Sequence, residues 1–182
     1  LITLSLAVSA QQYSFQKIGL EQGIPSSRVN DMLQDSRGFF WLATEGAGLV
    51  RYDGYEFKTY TPDNARVRPL FTSLCEDQNG DLWAASDNTL LKYDGVSFSY
   101  FYLPGNQRIK KISCAGSGRV LVSSDRQIFE TNATDTLSVV PMKAVGNVYD
   151  LAFDGSLWMA ADSGLFKDSK AISSEVFKDI DA

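Results

Sequence analysis

Asp35-Ser36-Arg37-Gly38-Phe39-Phe40-Trp41 returns as Asp77-Gln78-Asn79-Gly80-Asp81-Leu82-Trp83. The glycine-led core of that stretch recurs twice more, as Gly118-Arg119-Val120-Leu121 and Gly155-Ser156-Leu157-Trp158. Counting Leu121 as the third tryptophan position, the steps are 42, 38 and 37 residues. A repeat of that length is near the size of one propeller blade.

The correspondence extends on both sides of the tryptophan. Val29, Met32, Asp35 and Gly38 align with Phe71, Leu74, Asp77 and Gly80, and then with Ile109, Ile112, Ala115 and Gly118. Downstream, Leu49-Val50-Arg51-Tyr52-Asp53-Gly54 matches Leu90-Leu91-Lys92-Tyr93-Asp94-Gly95, and Phe57 and Tyr60 pair with Phe98 and Phe101. Each unit reads as four short strands. In the first, Val29 to Gln34, Phe39 to Thr44, Leu49 to Tyr52 and Tyr55 to Tyr60 are separated by Asp- and Gly-containing turns. Four strands per unit with no helical periodicity describe a blade. The expected fold is therefore all-β, four-stranded antiparallel propeller blades in an incomplete ring of about four. The repeats fall at about 23–62, 65–104, 105–140 and 144–170, within a domain spanning 11–182. The third unit lacks Tyr-Asp-Gly, and the fourth passes straight from Asp154 to Gly155 in its first turn.

Composition removes several functions. The net charge is −5 with no basic stripe, which argues against nucleic acid as a partner. The chain has no histidine, so Ser-His-Asp and Cys-His hydrolysis and most zinc sites are excluded within this segment. Asp77-Gln78-Asn79-Gly80-Asp81 superficially suggests a calcium loop. It has Leu82 and Asn88 where such a loop needs Gly and Glu, so a hairpin turn is the better reading. No catalytic group, cofactor or metal site is expected.

Cys75 and Cys114 lie one register apart in the first strands of adjacent units, so their side chains are expected to face differently; a bridge, the alternative in an oxidising compartment, is disfavoured by its demanding geometry. Leu1 to Ala10 is apolar with small residues at its end, and reads as the tail of a secretion signal with Gln11 as first mature residue; a hydrophobic first strand is the alternative. Asn132-Ala133-Thr134 fits a glycosylation sequon, a short pattern that carries little meaning by itself.

The repeat resembles that of the two-component regulator propeller family. The likeness rests on the Asp-x-x-Gly-x-apolar-Trp motif, the Leu-x-Arg-Tyr-Asp-Gly segment and the closing Phe. It covers residues 13 to about 167 and is strongest in the first two units. The opening residues Gly19-Leu20-Glu21-Gln22-Gly23-Ile24-Pro25 fit the same pattern. The resemblance implies the periplasmic input region of an inner-membrane two-component signalling protein that senses a small soluble ligand, in many cases an oligosaccharide. It also implies a ring of about seven blades, so the remaining blades of a longer chain are expected partners. Residues 173–182 then read as the start of another blade. An open edge makes pairing with a second copy an expectation too.

Trp41, Trp83 and Trp158 suit sugar stacking, but their shared place in an apolar strand favours inter-blade core. Tyr52 and Tyr93 are expected to pack, with their hydroxyls finding a partner. Ligand contacts are expected instead from polar residues of the loops between blades and between second and third strands: Arg28, Asn30, Glu45, Arg66, Arg68, Asp87 and Asn88. Two other functions fit a propeller, an enzyme (lyase or glycosidase) and a structural interaction module. Lyases with similar repeats use a histidine, which this sequence lacks, and nothing in the sequence places the carboxylate pair a glycosidase needs.

Overall fold

The structure, a computed structural model, describes residues 15–115, 118–125, 127–131, 136–141, 147–168 and 170–172. The signal-like residues 1–10, the sequon and residues 173–182 lie outside them. Four antiparallel four-stranded sheets follow one another, each with its strands in chain order. Blade 1 comprises β1 (Val29–Gln34), β2 (Phe40–Thr44), β3 (Leu49–Tyr52) and β4 (Phe57–Tyr60). Blade 2 comprises β5 (Ser73–Glu76), β6 (Leu82–Ser86), β7 (Thr89–Tyr93) and β8 (Phe98–Tyr102). Blade 3 comprises β9 (Ile109–Ala115), β10 (Arg119–Ser124), β11 (Ile128–Thr131) and β12 (Leu137–Val139). Blade 4 comprises β13 (Val148–Phe153), β14 (Leu157–Ala161), β15 (Gly164–Lys167) and β16 (Lys170–Ala171). Helix is confined to the single 3₁₀ turns Leu20–Gln22 and Pro104–Asn106 among the described residues. The ring is not closed.

The structure explains why aspartate and tryptophan recur together. Asp35 closes the β1–β2 turn: its Oδ1 accepts the amides of Arg37 and Phe39 at 3.0 and 2.9 Å, and its Oδ2 accepts Trp41 Nε1–H at 2.9 Å. Asp77 repeats this with the amides of Asn79 and Asp81 at 2.8 and 3.1 Å and Trp83 Nε1–H at 2.8 Å. The loop is thus a hairpin turn whose aspartate is already engaged. Gly38 and Gly80 take φ of +90° and +80°, a region that penalises a Cβ. Blade 4 keeps the pairing across its shortened turn, Trp158 Nε1–H donating to Asp154 at 3.0 Å. Blade 3 has neither partner: Ala115 and Leu121 replace them, and no buried donor is stranded. The Tyr-Asp-Gly turns are equally self-contained. Asp53 and Asp94 each accept two following amides, and the Tyr52 and Tyr93 hydroxyls donate to the carbonyls of Gly54 and Gly95 at 2.8 Å.

Consecutive sheets bury their apolar faces against one another. Trp41, Ala43 and Leu49 of blade 1 pack on Leu74, Leu82 and Leu91 of blade 2. The opposite face of blade 2, with Trp83 and Leu90, packs on Ile112, Val122 and Phe129 of blade 3. Leu121 and Ile128 of blade 3 then meet Leu151, Met159 and Phe166 of blade 4. Trp41 and Trp83 are 1% and 0% exposed, as core positions should be. Trp158 departs from the expectation and is half-buried. It lies on the face of blade 4 that no described sheet covers.

The reading of the cysteines is overturned. Cys75 and Cys114 form a disulfide with Cα atoms 5.6 Å apart. Neighbouring blades present opposite faces to each other, so a one-residue offset between first strands points both side chains into one interface. Cys75 shares the face of Trp83, and Cys114 that of Ile112. First strands are also linked by side chain to backbone. Asp31 accepts the Leu74 amide at 3.0 Å, and Ser73, at the same register in the next blade, accepts the Ile112 amide at 3.3 Å. Lys111 occupies that register in blade 3, where an ammonium cannot accept, and reaches back to Asp31 at 3.3 Å.

Candidate functional site

The loops between blades and the turns between second and third strands meet on one rim. The Gly46 amide donates to the Pro69 carbonyl at 2.6 Å and the Phe71 amide to Thr44 at 3.0 Å. One blade on, the Leu103 amide donates to Asn88 at 2.9 Å and the Ile109 amide to Asp87 at 2.7 Å.

An acidic residue stands on this rim four positions past each tryptophan position: Glu45, Asp87, Asp125 and Asp162. Glu45, Asp125 and Asp162 each meet a partner from the start of their own blade, and Asp87 meets one from the start of the next. Arg28 pairs with Glu45 at 2.8 Å, Arg108 with Asp87 at 3.2 Å, and Lys110 with Asp125 at 2.8 Å. Asp162 accepts from the Tyr149 hydroxyl and from both nitrogens of Asn147, at 2.8 and 2.9 Å for the latter. Glu45 holds the Arg28 guanidinium above its ordinary pKa by hydrogen bond and charge. The hydrogen bond from Lys110 lowers Asp125, and that from Tyr149 lowers Asp162. These are exposed pairs, and solvent screens their attraction. Their physical role is to clasp each rim turn to a first strand, that of its own blade for Glu45, Asp125 and Asp162 and that of blade 3 for Asp87. Arg108, Asp125 and Asp162 escaped the sequence reading, although counting four residues past each tryptophan position finds the acidic series.

The residues expected from the sequence divide into two groups. Arg28, Glu45 and Asp87 belong to the repeating clasps. Asn30 ties blade 1 to blade 2, its Nδ2 donating to the Phe71 carbonyl at 2.7 Å. Asn88 sits beside Asp87 in the β6–β7 turn and donates to Asn106 at 2.9 Å. Asp87 has φ +53°, which a two-residue hairpin turn requires and aspartate tolerates. Arg66 and Arg68 differ: both are exposed, and their guanidinium groups meet no hydrogen-bond or ionic partner among the described residues.

The loop carrying these arginines is anchored at both ends. Tyr100 donates to Asp63 at 2.6 Å, and burial together with that carboxylate pushes its phenol up to about 12. Asn64 donates to the Tyr102 hydroxyl at 2.8 Å and accepts the Arg66 amide at 3.0 Å. Ser86 Oγ–H donates to the Arg68 carbonyl at 2.7 Å, next to Asp87. The rim therefore presents two uncommitted guanidinium groups on a fixed loop, set among carboxylates that are already paired. Such a surface can hold a polar solute by hydrogen bonding. Among the described residues it assembles no nucleophile–base pair.

Residues 23–46 and 69–88, the first halves of blades 1 and 2, match the model of the two component regulator propeller. No curated protein matches the chain in sequence. The fold is similar to a solved protein of B. thetaiotaomicron described as the extracellular domain of the hybrid two component system BT3049. That likeness has 22% identity and a TM-score of 0.69, and covers 84% of this chain and 26% of the other. The corresponding domain of BT4673 from the same organism gives 19% identity and a TM-score of 0.68, covering 84% and 22%. A Staphylococcus aureus virginiamycin B lyase solved with quinupristin gives 13% and 0.63, covering 74% and 48%. That lyase is a variant, described as catalytically inactive, in which one histidine is replaced by alanine. This chain thus spans about a quarter of the sensor domains and half of the lyase.

Proposed function

We propose that this chain, whose first two blades are two component regulator propeller repeats, is the ligand-reading part of a periplasmic sensor and that it binds a soluble oligosaccharide without turning it over. The observation that carries the reading is the contrast along the rim. Repeating polar groups are consumed by clasps, while Arg66 and Arg68 stand uncommitted on an anchored loop. Recognition on a repeated scaffold needs groups that the repeat does not use. Guanidinium groups suit hydroxyl and carboxylate oxygens of a glycan because each offers several fixed donors. Glu45, Asp87, Asn88 and the paired Arg28 would border them.

The disulfide between blades 2 and 3 supports an oxidising compartment such as the periplasm. The lyase reading has the fold likeness in its favour. Against it stands the absence of histidine here, set beside a lyase described as inactive once a histidine is replaced. The test is calorimetric titration of the sensor region with a panel of soluble glycans, with chromatography of the same mixtures. Binding with the glycan recovered intact is expected. Loss of the glycan to cleaved products would overturn the non-catalytic reading.

A further inference from the structure

Val67 packs on the core shared by blades 1 and 2, so the arginines on either side of it leave the loop into solvent. Acidic side chains outnumber basic ones in this chain, 22 to 17, so partners were not scarce. The carboxylates on this part of the rim are held elsewhere. Asp63 takes the Tyr100 hydroxyl, Glu45, bridged to Leu70 at the loop's end, takes Arg28, and Asp87 takes Arg108. Two guanidinium charges two residues apart on a fixed loop repel each other, and a neutral ligand does nothing to offset that. An oxyanion does, because each guanidinium offers paired donors that match carboxylate or sulfate oxygens.

The same loop is tied to an aromatic ring. Asn64 accepts the Arg66 amide at 3.0 Å and donates to the Tyr102 hydroxyl at 2.8 Å, so one side chain fixes both. Tyr102, at the end of β8, is 41% exposed. Its counterpart in blade 1 is Thr61, one residue past Tyr60 as Tyr102 is one past Phe101, so the ring is no part of the repeat. An exposed aromatic face whose own hydroxyl is anchored suits the apolar face of a pyranose.

We infer that the rim ligand is an acidic oligosaccharide, bearing uronate or sulfate groups, whose charge is taken by Arg66 and Arg68 while one of its rings lies on Tyr102. The inference rests on the glycan-binding reading proposed above and narrows it to one chemical class. The two kinds of contact differ in what they detect. The guanidinium groups read the charge, and the tyrosine face reads a sugar ring whatever its charge.

Calorimetric titration of the sensor region with uronate and with sulfated tetrasaccharides, each beside its carboxyl-reduced or desulfated form, tests it. The acidic member of a bound pair should bind at least about tenfold more tightly than the neutral one at about 20 mM salt, and the gap should narrow at about 300 mM. The uronate and sulfate arms show which group is read. Arg66→Gln with Arg68→Gln should erase the gap. Tyr102→Leu should weaken both forms alike, by about fivefold. Tyr102→Phe loses the same bond to Asn64 but keeps the ring, and should retain the affinity. Neutral forms bound as tightly as acidic ones would overturn the inference and leave the glycan reading standing. Binding of neither form anywhere in the panel would overturn both. Equal losses in Tyr102→Leu and Tyr102→Phe would overturn the tyrosine's part in it.

Discussion

Replacing Asp77 by alanine strips Trp83 of its acceptor while leaving the indole in place. Trp83 is 0% exposed, so its N–H finds no water, and a buried donor left unpaired costs about 1–3 kcal/mol. The amides of Asn79 and Asp81 also lose their acceptor, but they lie in a half-exposed turn and recover solvent, adding about 1 kcal/mol. Asp77→Ala should therefore cost about 2–4 kcal/mol. Trp83→Leu alone should cost about 2–4 kcal/mol, from lost volume and from a carboxylate deprived of its buried donor. The double substitution reproduces the Ala115–Leu121 combination that blade 3 uses with both residues buried. It should cost less than the sum of the singles by about 1–2 kcal/mol. Urea unfolding followed by far-ultraviolet circular dichroism measures all four proteins without relying on tryptophan fluorescence. Additivity within about 0.5 kcal/mol would refute the claim that aspartate and tryptophan are one unit.

Three further outcomes are expected. Breaking the disulfide by Cys75→Ser with Cys114→Ser should lower stability by about 3–4 kcal/mol, from the loop-closure entropy of a 39-residue separation; an unchanged urea midpoint under oxidising conditions would contradict the bridge. Trp41→Ala should cost about 3–5 kcal/mol, whereas Trp158→Ala in the 182-residue chain should cost about 1 kcal/mol or less because it is half-buried and no described sheet covers its face; equal losses would mean that blade 4 is covered. Acid should destabilise in a defined window. Burial pushes Asp35 up, but hydrogen bonds from Trp41, the Phe39 amide and Arg37 outweigh it, so its folded pKa lies below the ordinary value. Backbone hydrogen bonds lower Asp53 and Asp94 as well. Their stabilisation is present above about pH 4 and is lost as pH falls through the folded values. With no histidine, Tm should be flat from about pH 5.5 to 7.5 and fall below about 4, the fall being shallower in Asp35→Asn. A steep slope near pH 6.5 would refute that assignment.

Much of the fold is legible because the motif residues act within their own blade. Asp35 with Trp41, Gly38 in its turn, and Tyr52 with Gly54 are contacts a few residues apart, so their spacing survives in the sequence. What escaped depends on how blades meet. The Cys75–Cys114 bridge required knowing that adjacent sheets show each other opposite faces, which reverses the parity argument drawn from register. The half-exposure of Trp158 depends on what covers blade 4, which no periodicity within the chain records. At the rim, Arg28, Glu45 and Asp87 stood out as charged loop residues, yet only the folded rim pairs them. Arg66 and Arg68 carried no sequence signal beyond their place between blades, and their distinction is the lack of a partner among the described residues.

The central claim is that the rim reads a soluble glycan through groups the repeat leaves free. Calorimetric titration of the sensor region, with and without Arg66→Ala and Arg68→Ala, tests it most directly. A control pair, Asp53→Ala and Asp94→Ala, removes turn acceptors from the opposite rim. The account predicts that the arginine double variant weakens glycan binding at least tenfold, about 1.4 kcal/mol, without lowering Tm, and that the control pair leaves affinity unchanged. Affinity untouched by the arginine substitutions, or lost equally in the control, would contradict it.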